Sequence, residues 1–188
     1  MTGLRVRSAL TGDAEDIANV QWQSWQGAYL GLLPHEVLIG FGQTQGLRFW
    51  QRVLCGQRDG GEVLVAELDD EIVGFTSIGP VRSHLPGYQS EFYALYVLPE
   101  AQGCGIGTAL LTHGGKTLVQ HRSISAAVWV LEGNHLGRRF YENLGGSLLG
   151  IAKPLSYQGR QYPAVREIAY GWPDLRRAAW LVDQPDDR

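Results

Sequence analysis

The chain has 188 residues, with 16 Lys and Arg against 19 Asp and Glu for a formal net charge of −3; 44% of the residues are hydrophobic and 19% charged. That balance excludes a disordered polyelectrolyte and gives no basic patch from which to expect nucleic acid as a partner. Two cysteines, Cys55 and Cys104, are too few for a disulfide framework, and no apolar run is long enough to span a bilayer, so a protein of the cytoplasm with no membrane partner is expected.

Leu4 to Leu10 alternates as a first strand, and Thr11-Gly12-Asp13 ends it with Asp13 placed to cap a helix. Ile17, Val20, Gln21, Trp25, Tyr29 and Leu32 then recur at helical steps. Pro34 starts a new helical piece, and a further helix is expected near Gln43 to Leu54. Gly56 to Gly61 reads as a loop, and Cys55 before it as a buried apolar residue. Strands over Glu62 to Leu68 and Glu71 to Ile78 meet at the turn Asp69-Asp70. Glu91 to Leu98 is nearly continuous in aromatic and aliphatic residues, which predicts a central strand.

Gly105 to His121 reads as a helix, Ile124 to Leu131 as a buried strand, and His135 to Leu144 as a short helix stopped by Gly145-Gly146. In that helix Leu136, Phe140 and Leu144 form the expected core stripe, with Tyr141 offset from it. Ser147 to Leu155 and Arg160 to Tyr170 are two more strands, joined around Tyr157-Gln158-Gly159. The domain expected is 1–172, with a tail over 173–188 whose order is doubtful. Hairpins followed by a β-α-β crossover imply an α/β protein with a mixed sheet and helices on its faces.

The most informative segment is Gln102-Gly103-Cys104-Gly105-Ile106-Gly107-Thr108, between a core strand and a helix. Glycine lets the backbone approach a ligand closely, and the amides at a helix start carry partial positive charge. Such a turn holds a pyrophosphate without needing Lys or Arg. The plain alternative is a glycine-rich turn with no ligand. A dinucleotide fingerprint fails, because its sixth place falls on Thr108 or Leu110, and neither Gly103 nor Gly105 is followed by the Gly-Lys-Ser/Thr of a P-loop. His35, His84, His113, His121 and His135 show no metal-ligand spacing, so no metal is expected.

The spacing Gln102-x-x-Gly105-x-Gly107, after the strand from Glu91 through Val97-Leu98-Pro99-Glu100, resembles the acetyl-CoA motif of the GNAT family of N-acetyltransferases. Trp25-x-x-x-Tyr29 with Leu33-Pro34, Val73-Gly74-Phe75, Asn134, and Phe140-Tyr141-Glu142-x-Leu144-Gly145 match further parts of the family pattern in the right order. The resemblance implies the acyl-CoA N-acyltransferase fold, with its sheet splayed between strands 4 and 5, and acetyl-CoA as co-substrate.

It assigns backbone contacts with the pantetheine arm to Leu95 and Val97, the Val97 amide also facing the thioester carbonyl. Gln102, Gly103, Cys104, Gly105, Ile106, Gly107 and Thr108 would surround the pyrophosphate. Cys104 stands where relatives commonly carry Lys or Arg, which implies somewhat weaker binding. Asn134 would bond the pantetheine arm, its plain alternative being a helix cap. Tyr141 matches the family's proton donor to the leaving thiolate. Glu91 matches a general base of one branch, its plain alternative being a solvated charge at a strand start. Arg138 and Arg139 would meet the 3′-phosphate or simply face solvent.

The implied reaction is acetyl transfer to a primary amine, on a small molecule or a peptide N-terminus, by direct attack in a ternary complex. A CoA-binding module without turnover, a longer acyl group and a hydroxyl acceptor are the alternatives. Many relatives pair as dimers, so a homodimer is a further expectation.

Overall fold

The computed structural model describes residues 3–40, 42–56, 61–82 and 84–182. Most of the loop expected at Gly56 to Gly61, and the tail beyond 182, lie outside the described residues. In chain order the elements are β1 (Arg5–Ser8), α1 (Ala14–Ala28), α2 (His35–Gly40), α3 (Gln43–Leu54), β2 (Glu62–Leu68), β3 (Glu71–Pro80), β4 (Ser90–Val97), α4 (Ile106–Gln120), β5 (Ala126–Leu131), α5 (His135–Asn143), β6 (Ser147–Tyr157), β7 (Arg160–Trp172) and α6 (Ala179–Val182). Seven strands form one mixed sheet, as the hairpins and the crossover imply, and their order is β1-β2-β3-β4-β5-β7-β6. The β4–β5 pair is parallel. The β2–β3 turn places Asp69 and Asp70 at φ +52° and +66°, and the β6–β7 turn places Gln158 and Gly159 at +50° and +78°. Two successive left-handed residues match the twist of a tight hairpin.

The chain divides into two compact units: Met1–Ile78 with Ala94–Gly114, and Gly79–Tyr93 with Gly115–Arg188. In the first, Val63 and Val65 of β2 and Phe75 of β3 pack with Ile17, Val20 and Trp50 of the helices. Ala66 and Val73 pack with Ile106 and Leu110 of α4 in a separate cluster. Neighbouring Val65 and Ala66 point to opposite sides of a strand, so helices cover both faces. Trp50 is the centre of the first cluster; its Nε1 donates to Gln21 Oε1 at 2.7 Å, and its ring meets Phe75 edge-on at 4.9 Å.

Asp13 departs from the capping role expected of it, since its side chain makes no cap bond to α1. Its carboxylate instead accepts the Leu10 N–H at 2.7 Å and pairs with Arg7 at 2.6 Å, which holds its pKa below the ordinary carboxylate value. Cys55 also departs from expectation: it is exposed, one residue past α3.

The second unit is built around aromatic rings. Trp172 of β7 lies 6.0 Å from Tyr141 of α5 and 5.8 Å from Trp180 of α6. The indoles of Trp172 and Trp180 both donate to the Leu144 carbonyl at 2.8 Å. Structure therefore continues past 172, with Leu175 fully buried and Trp180 8% exposed.

Candidate active site

In the first unit, β4 runs into the glycine turn. Thr76 Oγ1 donates to the Ala94 carbonyl, and the Leu98 N–H to the Val73 carbonyl, both at 2.8 Å. The even-numbered positions of β4 thus turn their backbone toward β3. Backbone direction alternates along a strand, so the N–H and C=O groups of Leu95 and Val97 point away from β3. The Val97 carbonyl accepts Ser24 Oγ and Gln102 Nε2, each at 3.1 Å. Two donors occupy both lone pairs of that oxygen. Of the two groups expected to meet pantetheine at Val97, the carbonyl is committed internally and the N–H is the one left. Close approach of β3 to this strand requires Gly74, where an added Cβ would lie 3.0 Å from the Tyr96 carbonyl.

The turn itself carries Gly103 at φ +77° and Gly105 at φ +81°. An added Cβ would meet nothing within 4 Å at either position, so backbone angle and not space demands glycine there. Residues 102–105 are exposed, whereas Ile106 is buried against Leu110 and anchors the helix start. The first helical bond of α4 runs from the Ala109 N–H to the Gly105 carbonyl at 3.0 Å. The amides of Ile106, Gly107 and Thr108 precede it and have no carbonyl one turn back. Cys104 is exposed within this turn. A diphosphate fits this donor set, because it needs several convergent N–H groups and no cation.

In the second unit, the parallel β4–β5 register comprises Ser90↔Ala126, Glu91↔Ala127 and Phe92↔Val128, and β5 continues past it to Leu131. Beyond its end, Asn134 caps α5: its Oδ1 accepts the Gly137 N–H at 3.0 Å. The plain reading of Asn134 is thus realised, and its Nδ2 still has donors to offer. Tyr141, one turn from the end of α5, is 7% exposed and packs on the Tyr170 ring at 6.3 Å.

The expected core stripe of α5 is overturned. Leu136 is 76% exposed and Phe140 only half-buried, while Tyr141 takes the inward position. The reason lies on β7: Tyr170 and Trp172 build an aromatic wall that accepts a flat ring, and α5 turns Tyr141 onto it. Arg138 is not spread on a solvated face; its Nε donates to Tyr170 Oη at 3.2 Å and its guanidinium to the Glu132 carbonyl at 3.1 Å. Tyr170 donates in turn to Glu142. These contacts lock α5 to β7 behind Tyr141.

Glu91 is 7% exposed, and its Oε2 accepts the Arg82 N–H at 3.1 Å. It is not the solvated strand-start charge of the plain reading. Glu91 shares a sheet face with Ala127, whereas Tyr141 packs on Tyr170 and Trp172, which flank Gly171 and point the other way. Glu91 and Tyr141 are therefore on opposite faces of this unit's sheet. No motif singles out Ser24, Trp129 or Glu167. A charged residue between the apolar positions of the last strand was the available signal for Glu167. Among the described residues no cluster of His, Cys, Asp and Glu could hold a metal ion. No helix among them is long and apolar enough to cross a membrane.

Residues 14–146 match the family model described as the acetyltransferase (GNAT) family. A Bacillus subtilis protein described as the uncharacterized N-acetyltransferase YuaI is 34% identical over 183 residues, 95% of this chain and 98% of the relative. A probable N-acetyltransferase of Mycobacterium tuberculosis is 29% identical over 161 residues, covering 82% and 88% of the two chains. Among solved structures, an N-acetyltransferase of Thermoplasma acidophilum in complex with coenzyme A aligns with a TM-score of 0.67 at 18% identity, over 90% of this chain and 98% of that one. A Salmonella typhimurium protein described as a putative acetyltransferase, with its cofactor acetyl-CoA, aligns at 0.65 and 21%, over 99% of each. At those identities the two structures share the fold.

Proposed function

The chain belongs to the GNAT acetyltransferase family, and from that premise we propose that it transfers an acetyl group from acetyl-CoA to a primary amine by direct attack in a ternary complex. The observation that carries this reading is the end of β4. Backbone groups turned from β3 lead into two left-handed glycines and a helix start with unused amides. That is a receptor for an amide-rich arm ending in a diphosphate. Leu95 and the Val97 N–H would pair the arm, and Gln102 to Thr108 the diphosphate, with Gln102 acting through its hold on Val97. The Asn134 Nδ2 would donate to the same arm.

Bound acetyl-CoA supplies the acyl group in activated form, as a thioester. The Val97 N–H, on a backbone fixed by Ser24 and Gln102, is preorganised to steady negative charge growing on the acyl oxygen. An ordinary alkylamine, with a pKa near ~10, must lose a proton before it attacks. Glu91 takes that proton, directly or through water, its carboxylate held by the Arg82 N–H. Tyr141 gives a proton to the departing sulfur. The acceptor class is a small-molecule amine or a peptide N-terminus.

Incubation with acetyl-CoA and an amine panel, read by free thiol and by product mass, tests the reading. One-to-one thiol and acetylated amine are expected. Binding of acetyl-CoA without release of coenzyme A thiol in the presence of any amine would replace transfer by a CoA-binding module. Absence of calorimetric heat with millimolar acetyl-CoA would remove the premise of the site.

A further inference from the structure

One face of the second unit's sheet carries charged groups that the transfer above does not use. In the strand register Glu91 faces Ala127, Trp129 faces Ala169, Leu131 faces Glu167, and Glu167 faces Lys153. Paired residues share a face, as do alternate residues along a strand, so Glu91, Trp129, Glu167 and Lys153 all project from one side.

Glu167 is on β7, an inner strand, with only 22% of its side chain exposed. Burial is the largest influence on its carboxyl and pushes its pKa up; Lys153 opposes this and the charge of Glu91 adds to it. The Lys153 ammonium is 3.9 Å from Glu167 Oε2, beyond hydrogen-bond reach, and 4.0 Å from the centre of the Trp129 ring. An aromatic face beside a carboxylate is a receptacle for an ammonium ion, and here the chain's own lysine occupies it. Trp129 Nε1 is buried without an acceptor, which is rare in a face evolved only to pack. The nearby Arg82 guanidinium is engaged over the Tyr93 ring.

We propose that Glu167 is a specificity-determining residue for the acceptor, selecting amines that carry a second ammonium group, with Lys153 the internal cation that such an acceptor displaces. The far ammonium rests between Glu167 and the Trp129 ring, and the reacting amine is directed to Glu91. The inference rests on the acetyl-transfer reading for its reaction, but not for its binding site.

Cadaverine and pentylamine have the same chain length and differ by one ammonium group. Glu167→Gln is expected to raise KM for cadaverine about tenfold while leaving kcat, KM for pentylamine and KM for acetyl-CoA within about twofold. Glu167→Asp should restore part of the loss. Lys153→Met, which removes the competing cation, should tighten cadaverine binding. Equal losses on both amines, or none, overturn the proposal. Calorimetric binding of cadaverine to wild type and variants, with no thioester present, makes the same comparison without turnover. Failure of wild type to acetylate any amine would sink the transfer reading, while weaker cadaverine binding by Glu167→Gln would still uphold the ammonium site. Should Glu167→Gln not fold, Lys153→Met carries the test, and unchanged cadaverine binding by it overturns the proposal.

Discussion

The glycine turn at 102–107 and the helix at 134–144 both hold residues assigned to one ligand, yet they are built in contrasting ways. The turn works through main-chain atoms. Its geometry is set by Gly103 and Gly105 at positive φ, with empty space where their side chains would be. The helix works through side chains, and their directions are set by ring contacts with β7. A site made of backbone is written locally in residue type, because only glycine tolerates those angles cheaply. A site made of side chains is written across the whole unit, and a single helix does not disclose it.

The sharpest way to break this contrast is Tyr141→Phe. The ring and its contacts with Tyr170 and Trp172 remain, so the fold should survive. Turnover should fall about 10²-fold or more, the usual worth of a positioned acid, with KM for acetyl-CoA little altered. Steady-state kinetics beside a thermal melt would check it; unchanged turnover would show that the aromatic wall holds Tyr141 for packing alone.

Gly105→Val probes the other region. A β-branched residue at φ +81° is strained by ~1–2 kcal/mol even though its side chain meets nothing, which corresponds to about a 5- to 30-fold loss if binding requires that angle. Calorimetry with acetyl-CoA should find that loss, whereas kcat at saturation should survive. Intact affinity would mean that the turn's geometry is dispensable.

The smallest effect belongs to Asn134, where the two modes meet. Asn134→Ala removes the cap on the Gly137 N–H and should cost about 1 kcal/mol of stability. Asn134→Asp keeps the cap and deletes the Nδ2 donors. If that donor serves the pantetheine arm, Asp should melt like wild type but raise KM for acetyl-CoA; if it serves nothing, the two measurements should both match wild type.

The same contrast explains what could be read from residues alone. The strands, the hairpin turns and the glycine turn follow from alternation, from Asp69-Asp70 and Gln158-Gly159, and from the Gly spacing, all of them local signals, whereas the place of β7 between β5 and β6 does not. Asp13 leaves the capping role its position suggests because its partner, Arg7, lies on another element and outcompetes the helix end. Leu136 and Phe140 were given the core of α5 on spacing, but the wall of Tyr170 and Trp172 turned Tyr141 inward instead. Cys55, a residue type that is commonly buried, is exposed just past the last turn of α3. Glu167 was legible only as an odd charge in a strand, since its meaning comes from Trp129 and Lys153 on neighbouring strands.

The Val97 oxygen, shared between Ser24 of the first helix and Gln102 of the turn, has a consequence for how relatives can diverge. A graft that exchanges the first helix for a foreign one must bring its own hydroxyl to residue 24. Without it one lone pair loses its donor, and the tether between the helix and the strand end goes slack. Recruitment of new acceptors by helix replacement is thereby constrained at Ser24.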